Sequence, residues 1–129
     1  MAKVTGIGGV FFKAKDPKAL AKWYADHLGV ELEAWGGAVF RWAADQEAQP
    51  AKGVTVWHLA DADGDWFQPS TSQVMINYRV DDLDGLLRQL ADAGVETIKG
   101  PDTELNGRFA WVMDPERNKV ELWEPRDPE

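Results

Sequence analysis

Cysteine is absent from the 129 residues, which excludes disulfide scaffolds, thiol nucleophiles and thiolate metal sites. Histidine is scarce. Only His27 and His58 occur, so a multi-histidine metal centre or a serine–histidine triad has little to be built from. Positive charge is also in short supply: Lys and Arg total 14 against 22 Asp and Glu, a formal net charge of −8. A phosphate-binding face needs the opposite balance, so no nucleic-acid partner is expected. No run approaches the ~18 consecutive apolar residues of a membrane span, and no membrane partner is expected either. The opening residues, Met1-Ala2-Lys3-Val4-Thr5-Gly6, lack the apolar stretch of a secretory signal. The expected location is therefore cytoplasmic.

What is present is a repeat. Asp16 can cap a helix, Pro17 suits its first turn, and Leu20, Trp23, Tyr24 and Leu28 follow at helical spacing before Gly29. Asp82 opens a second helix of the same design, with Leu83, Leu86, Leu87 and Leu90 before Gly94. Strand-like runs flank each helix. In the first half they are residues 8–14, 30–34, 38–42 and 54–58; in the second, 74–80, 95–99, 108–113 and 119–124. Turn chemistry separates them at Gly36-Gly37, Lys52-Gly53, Gly100-Pro101, Asn106-Gly107 and Asp114-Pro115. The chain therefore reads β-α-β-β-β twice, offset by about 65 residues. The expected architecture is α+β: tandem βαβββ modules, about 6–60 and 73–125, forming a curved mixed sheet around a cleft, with a linker at about 61–72.

Three phrases sharpen this reading. They are Gly8-Gly9-Val10-Phe11-Phe12-Lys13-Ala14-Lys15-Asp16-Pro17, then Tyr78-Arg79-Val80-Asp81-Asp82-Leu83-Asp84, then the closing turn and strand from Asp114 to Pro125. With the repeat, they resemble the vicinal oxygen chelate superfamily of glyoxalase I, bleomycin-resistance proteins and extradiol dioxygenases. The resemblance runs from about Gly6 to Pro125. It implies a small-molecule cavity between the modules and, where a metal is present, one inward ligand on the first and last strand of each module. Those positions fall here on Gly9, on Thr55 or Trp57, on Met75 and on Glu121; His58 qualifies if the strand phase slips by one residue. Glycine and a thioether do not suit a hard or borderline cation. No cofactor and no metal ligand set is therefore expected, and His58 with Glu121 is the pair left to a divalent ion. Arg117 stands where the superfamily's closing turn usually has glycine.

Strand alternation then divides the side chains. Taking the implied ligand phase as inward, the cavity set is Gly9, Phe11, Lys13, Met75, Asn77, Arg79, Lys119, Glu121 and Trp123. The opposite set is Val10, Phe12, Ala14, Ile76, Tyr78, Val80, Val120 and Leu122, almost wholly apolar, as a surface beneath helices should be. Trp23 is expected in the helix core, while Trp57 and Trp66 are pocket candidates. The ligand-binding set is thus Phe11, Lys13, Trp57, Trp66, Met75, Asn77, Arg79, Glu121 and Trp123. Glu121 and His58 are the catalytic candidates, and Arg79 or Lys13 the cation expected to pair with Glu121. The acidic run 61–65 lacks the glycine spacing of a calcium loop.

The leading functional expectation is a metal-free, small-molecule-binding homodimer. Two alternatives stand beside it. One is an enzyme of lyase, isomerase or dioxygenase type, with an altered metal site or metal-free acid/base chemistry at Glu121. The other is a domain whose cavity has collapsed.

Overall fold

The computed structural model describes residues 1–41 and 54–126. Trp42, the end of the strand expected at 38–42, and the Lys52-Gly53 turn lie outside them. The elements are β1 (Val4–Ala14), α1 (Pro17–Leu28), β2 (Ala38–Arg41), β3 (Val54–Asp61), β4 (Val74–Val80), α2 (Leu83–Asp92), β5 (Thr97–Glu104), β6 (Gly107–Met113) and β7 (Lys119–Pro125).

Local chemistry sets the helix boundaries. Asp16 accepts a hydrogen bond from the Ala19 amide at 3.1 Å, and Asp82 accepts one from Gly85 at 3.1 Å. Each satisfies one of the orphan amides of a helix N-terminus. Gly29 follows α1 at φ 69° and Gly94 follows α2 at φ 84°, both in the left-handed region that favours glycine.

The seven strands of the described residues form one mixed sheet in the order β2-β3-β1-β4-β7-β6-β5. β1 and β4 pair antiparallel at its centre. Each also pairs in parallel with the last strand of its own half, β1 with β3 and β4 with β7. Parallel pairs need a crossover, and each crossover contains a helix. The strand expected at 30–34 does not form. There the Val30 amide still bonds the Tyr24 carbonyl, and Glu33 and Gly37 close a tight turn. Those groups are therefore spent locally.

The sheet's two faces carry separate cores. Beneath α1, Ala14, Ala21 and Leu59 pack with Phe12, Leu20 and Trp57. Beneath α2, Val80, Leu83, Ala110, Val112 and Leu122 pack with Tyr78, Leu86 and Leu90. Trp23, expected in the helix core, is instead about half exposed (49%), with Tyr24 and His27 as ring neighbours. Leu20, Ala21 and Tyr24 form the contact face, and Trp23 lies beside it. On the opposite face, Phe11, Ala60, Phe67, Met75 and Trp111 form a third cluster with Val56, Trp66 and Phe109 against it. Phe67, from the segment after β3, is only 1% exposed.

Candidate functional site

The strand register builds the site. Val56 pairs with Gly9, Gly9 with Asn77, Asn77 with Glu121, and Glu121 with Trp111. These residues form one row across five strands. Directly paired residues put their side chains on the same face, with Cβ atoms ~5 Å apart. Two hydrogen bonds follow from that row. Asn77 Nδ2 donates to Glu121 Oε1 at 2.6 Å, and Trp111 Nε1 donates to Glu121 Oε2 at 2.9 Å.

Glu121 is 3% exposed. Burial pushes its carboxyl above the ordinary carboxylate range, while the two N–H donors and the charges of Lys119 and Lys99 pull it partly back. The cation expected beside it, Arg79 or Lys13, is not its partner. Lys13 lies four residues along β1 from Gly9, about 13 Å at strand rise, with its Nζ 5.5 Å from the Phe67 ring centroid. Arg79 belongs to the next inward row, paired with Trp123. Burial there lowers its pKa.

Above the row lies a cavity of about 560 Å³, within the usual size of a small-molecule site. One wall is Phe11 and Trp66, with ring centroids 4.7 Å apart, together with Trp35. The facing wall is a stack on β6 and β7. Phe109 lies 5.9 Å from Trp123 at an interplanar angle of 2°, and 6.3 Å from Trp111 at 19°. Asn77 and Glu121 supply the floor, Val39 and Val56 add aliphatic surface, and Glu104 and Asn106 bring polar groups. The Trp123 indole N–H is held by the Asn106 carbonyl at 3.1 Å.

Five of the expected residues line this cavity: Phe11, Trp66, Asn77, Glu121 and Trp123. Lys13, Trp57, Met75 and Arg79 do not. Trp57 packs on the helix side, 5.9 Å from Phe12 and 5.1 Å from Tyr24. The register is the cause. Gly9 opposes Val56 and Phe11 opposes His58, so the even-numbered residues of β3 face inward. Thr55 and Trp57 therefore do not occupy the second implied ligand position. Met75, 1% exposed, is part of the packed cluster with Phe67 and Trp111. Lys119 donates from Nζ to the Trp66 carbonyl at 2.6 Å.

His58 does face inward, against the sequence expectation for β3. Its Nδ1 is buried with no hydrogen-bond partner among the described residues. The Trp35, Trp66 and Phe11 rings lie at 5.2, 6.2 and 6.5 Å. Burial lowers its pKa, favouring the neutral imidazole. It lines a smaller neighbouring hollow rather than the main cavity. Three strand spacings, about 14 Å along the sheet, separate β3 from β7, so His58 and Glu121 do not form a hydrogen-bonded acid/base pair.

Sequence reasoning missed Trp35, Val39, Val56, Glu104, Asn106, Phe109 and Trp111 as lining residues. For Trp111 a signal existed. The turn at Asp114–Asn118 pairs Met113 with Lys119, and counting back two residues on each strand opposes Trp111 to Glu121.

A resident metal ion of the superfamily's kind does not fit these residues. The row offers Gly9, Val56, Asn77 and Trp111 around one carboxylate, and both of its oxygens already accept N–H groups. A side chain at Gly9 would start 3.2 Å from Phe11 Cζ, so the Phe11 ring fills the space over that position. Among the described residues, no group of three or more His, Cys, Asp or Glu converges.

Comparison with known proteins gives this arrangement a family. Residues 9–123 match the family described as Glyoxalase-like domain. No curated protein matches. Among solved structures, a variant of Streptomyces coelicolor methylmalonyl-CoA epimerase in complex with 2-nitronate-propionyl-CoA is 17% identical with a TM-score of 0.69, covering 95% of this chain and 99% of that one. Methylmalonyl-CoA epimerase from Mycobacterium tuberculosis is 22% identical at a TM-score of 0.61, covering 95% and 89%. A glyoxalase/bleomycin resistance protein/dioxygenase superfamily member from Vibrio splendidus 12B01 is 13% identical at 0.54, covering 96% and 99%. At these identities the likeness is one of fold. With a mixed seven-stranded sheet and two helices among its described residues and a family match over residues 9–123, the chain belongs to the glyoxalase-like domain family of the vicinal oxygen chelate superfamily.

Proposed function

We propose that this protein binds a small organic molecule in the aromatic cavity, without help from a metal. The observation that carries this reading is the pairing of two aromatic walls with a buried carboxylate on the floor. Such walls bury a flat ligand at low entropic cost, and a few polar groups fix its orientation. The acyl-CoA ligands named for the epimerases belong to those proteins. Among the described residues, the cavity lining contains no lysine or arginine to meet a carboxylate or phosphate.

The test is a panel of small aromatic compounds, followed by melting temperature and tryptophan fluorescence. At least one compound should raise the melting temperature by mass action and quench fluorescence, and Trp66→Ala should weaken both effects. No response across the panel at millimolar concentration would refute the reading.

A second reading is metal-free isomerase or lyase chemistry with Glu121 as general base. One observation favours it: burial raises the Glu121 carboxyl towards the range where a base works at neutral pH. Exchange of a ligand C–H with solvent deuterium, lost in Glu121→Gln, would distinguish it from simple binding.

A further inference from the structure

We infer that the cavity selects a flat organic cation, with its ring between the aromatic walls and its N–H groups directed at Glu121. This rests on the binding reading above and names the ligand class.

The first support is a count of donors and acceptors at the floor. The Asn77 amide N–H is spent on Glu121, as is the Trp111 indole N–H. The Trp123 indole N–H is spent on the Asn106 carbonyl. Unspent acceptor capacity is left over. A carboxylate has about four lone-pair sites, and Glu121 uses two of them in these bonds. Asn77 Oδ1, by contrast, packs against Gly8 beneath the floor and is sealed from the cavity, so it offers nothing to a ligand. Glu104 adds a second carboxylate to the lining. A site rich in unspent acceptors asks its ligand for donors.

The second support is the charge those donors must carry. A buried carboxylate needs compensation, and among the described residues Glu121 receives neutral hydrogen-bond donors. Among the described residues, the charges of Lys119 and Lys99 act on it through space. On β7, Lys119 commits its Nζ to the Trp66 carbonyl. On β5, Lys99 sits over the Trp111 ring, 4.9 Å from its centroid. On β4, Arg79 occupies the next row, and on β3 His58 faces the neighbouring hollow. None of these four lines the cavity. Its walls instead offer the negative faces of aromatic rings, which attract cations as well as stacking flat ligands.

Three probes of one shape separate charge from fit: benzamidinium, benzamide and benzoate. Affinity is read by calorimetry and fluorescence quenching at neutral pH. Benzamidinium should bind about tenfold or more tighter than benzamide, the usual worth of a charge-assisted hydrogen bond, and benzoate should bind most weakly. Glu121→Gln should bring benzamidinium to within about twofold of benzamide measured on the same variant, with circular dichroism confirming the fold. The wild-type ranking stands as a test even if that variant does not fold. Equal affinities, benzoate binding tightest, or a preference for benzamidinium that survives in folded Glu121→Gln would each overturn the inference and leave the binding reading intact. If none of the three binds while another aromatic compound does, cation selection falls alone. If no aromatic compound binds at all, both fall.

Discussion

Replacing Gly8 by alanine tests how closely the two halves of the chain approach beneath the cavity. Neither Gly8 nor Gly9 has a positive φ, so alanine brings no backbone strain at either site. By limiting the unfolded chain it should even stabilise by about 0.4–1 kcal/mol. Space decides the outcome. A Cβ at Gly8 would lie 2.3 Å from Asn77 Oδ1, 2.7 Å from Arg79 Cγ and 2.8 Å from Trp123 Cε3. All three distances are shorter than real carbon contacts, and all three neighbours are buried. Overpacking of this kind costs about 1–3 kcal/mol. Moving Asn77 also strains its bond to Glu121, a charge-assisted bond worth about 1.5–3 kcal/mol. After the entropic offset the net loss should be about 2–4 kcal/mol. At Gly9 the nearest atoms stand at 3.0–3.2 Å, so Gly9→Ala should stay within about 1 kcal/mol of wild type. Urea unfolding reads the contrast as a midpoint roughly 1–2 M lower for Gly8→Ala than for Gly9→Ala. Equal midpoints, or a lower one for Gly9→Ala, would refute the argument.

Three further outcomes are expected from single substitutions, and one from the intact chain. Glu121 has a raised folded pKa, so its contribution to stability is complete below the ordinary carboxylate value of 4.5 and is lost as pH rises through the raised value; relative to Glu121→Gln, the wild type should lose stability as pH rises above 4.5, and a parallel pair of curves would count against the burial argument. His58 has a lowered folded pKa, so its contribution is present above 6.5 and lost as pH falls through the lowered value; His58→Gln should flatten the acid limb of the stability curve. Trp57→Ala should cost roughly 3 kcal/mol of stability and leave ligand affinity in the folded fraction unchanged, whereas Trp66→Ala should reduce affinity; the reverse pattern, read by urea unfolding and titration, would contradict the β3 register. Finally, β2 and β5 end the sheet among the described residues, and sheet edges invite pairing; light scattering should report a homodimer at twice the 14.4 kDa chain mass, and the monomer mass at micromolar concentration would refute it.

The legible parts of this fold were those written locally. Asp16, Pro17 and Gly29 act within one helix, and their chemistry reads directly from neighbours in the chain. The inward face of β1, β4 and β7 was legible because the opposite face is almost uniformly apolar. On β3 that contrast fails: Val54 and Val56 alternate with Thr55 and Trp57, so either phase offers apolar residues. Only the pairing of Gly9 with Val56, about 47 positions away in the chain, decides it. The partner of Glu121 was misjudged for a related reason. Pairing charge with charge looks to Arg79 on β4 and Lys13 on β1, whereas the residues opposite Glu121 are the neutral Asn77 and Trp111. Trp35 follows α1, where the expected strand gives way to a turn, so no strand phase points to it.

The Phe11 ring resting over Gly9 has a consequence for descent and for redesign. Installing a histidine at position 9 would drive its first carbon to 3.0 Å from the Val56 carbonyl and 3.2 Å from Phe11 Cζ. Phe11 would have to leave the cluster it shares with Met75, Phe67 and Trp111, and Glu121 would have to give up Asn77 and Trp111 before it could coordinate anything. Each step taken alone loses packing or hydrogen bonds and gains no metal, because a catalytic site needs about three protein ligands at once. The steps are therefore epistatic: the route to a chelating site passes through less stable intermediates that selection for folding would remove. The cavity is locked into its aromatic form by its own packing, and an engineer seeking metal chemistry here would have to change Gly9, Phe11, Asn77 and Trp111 together.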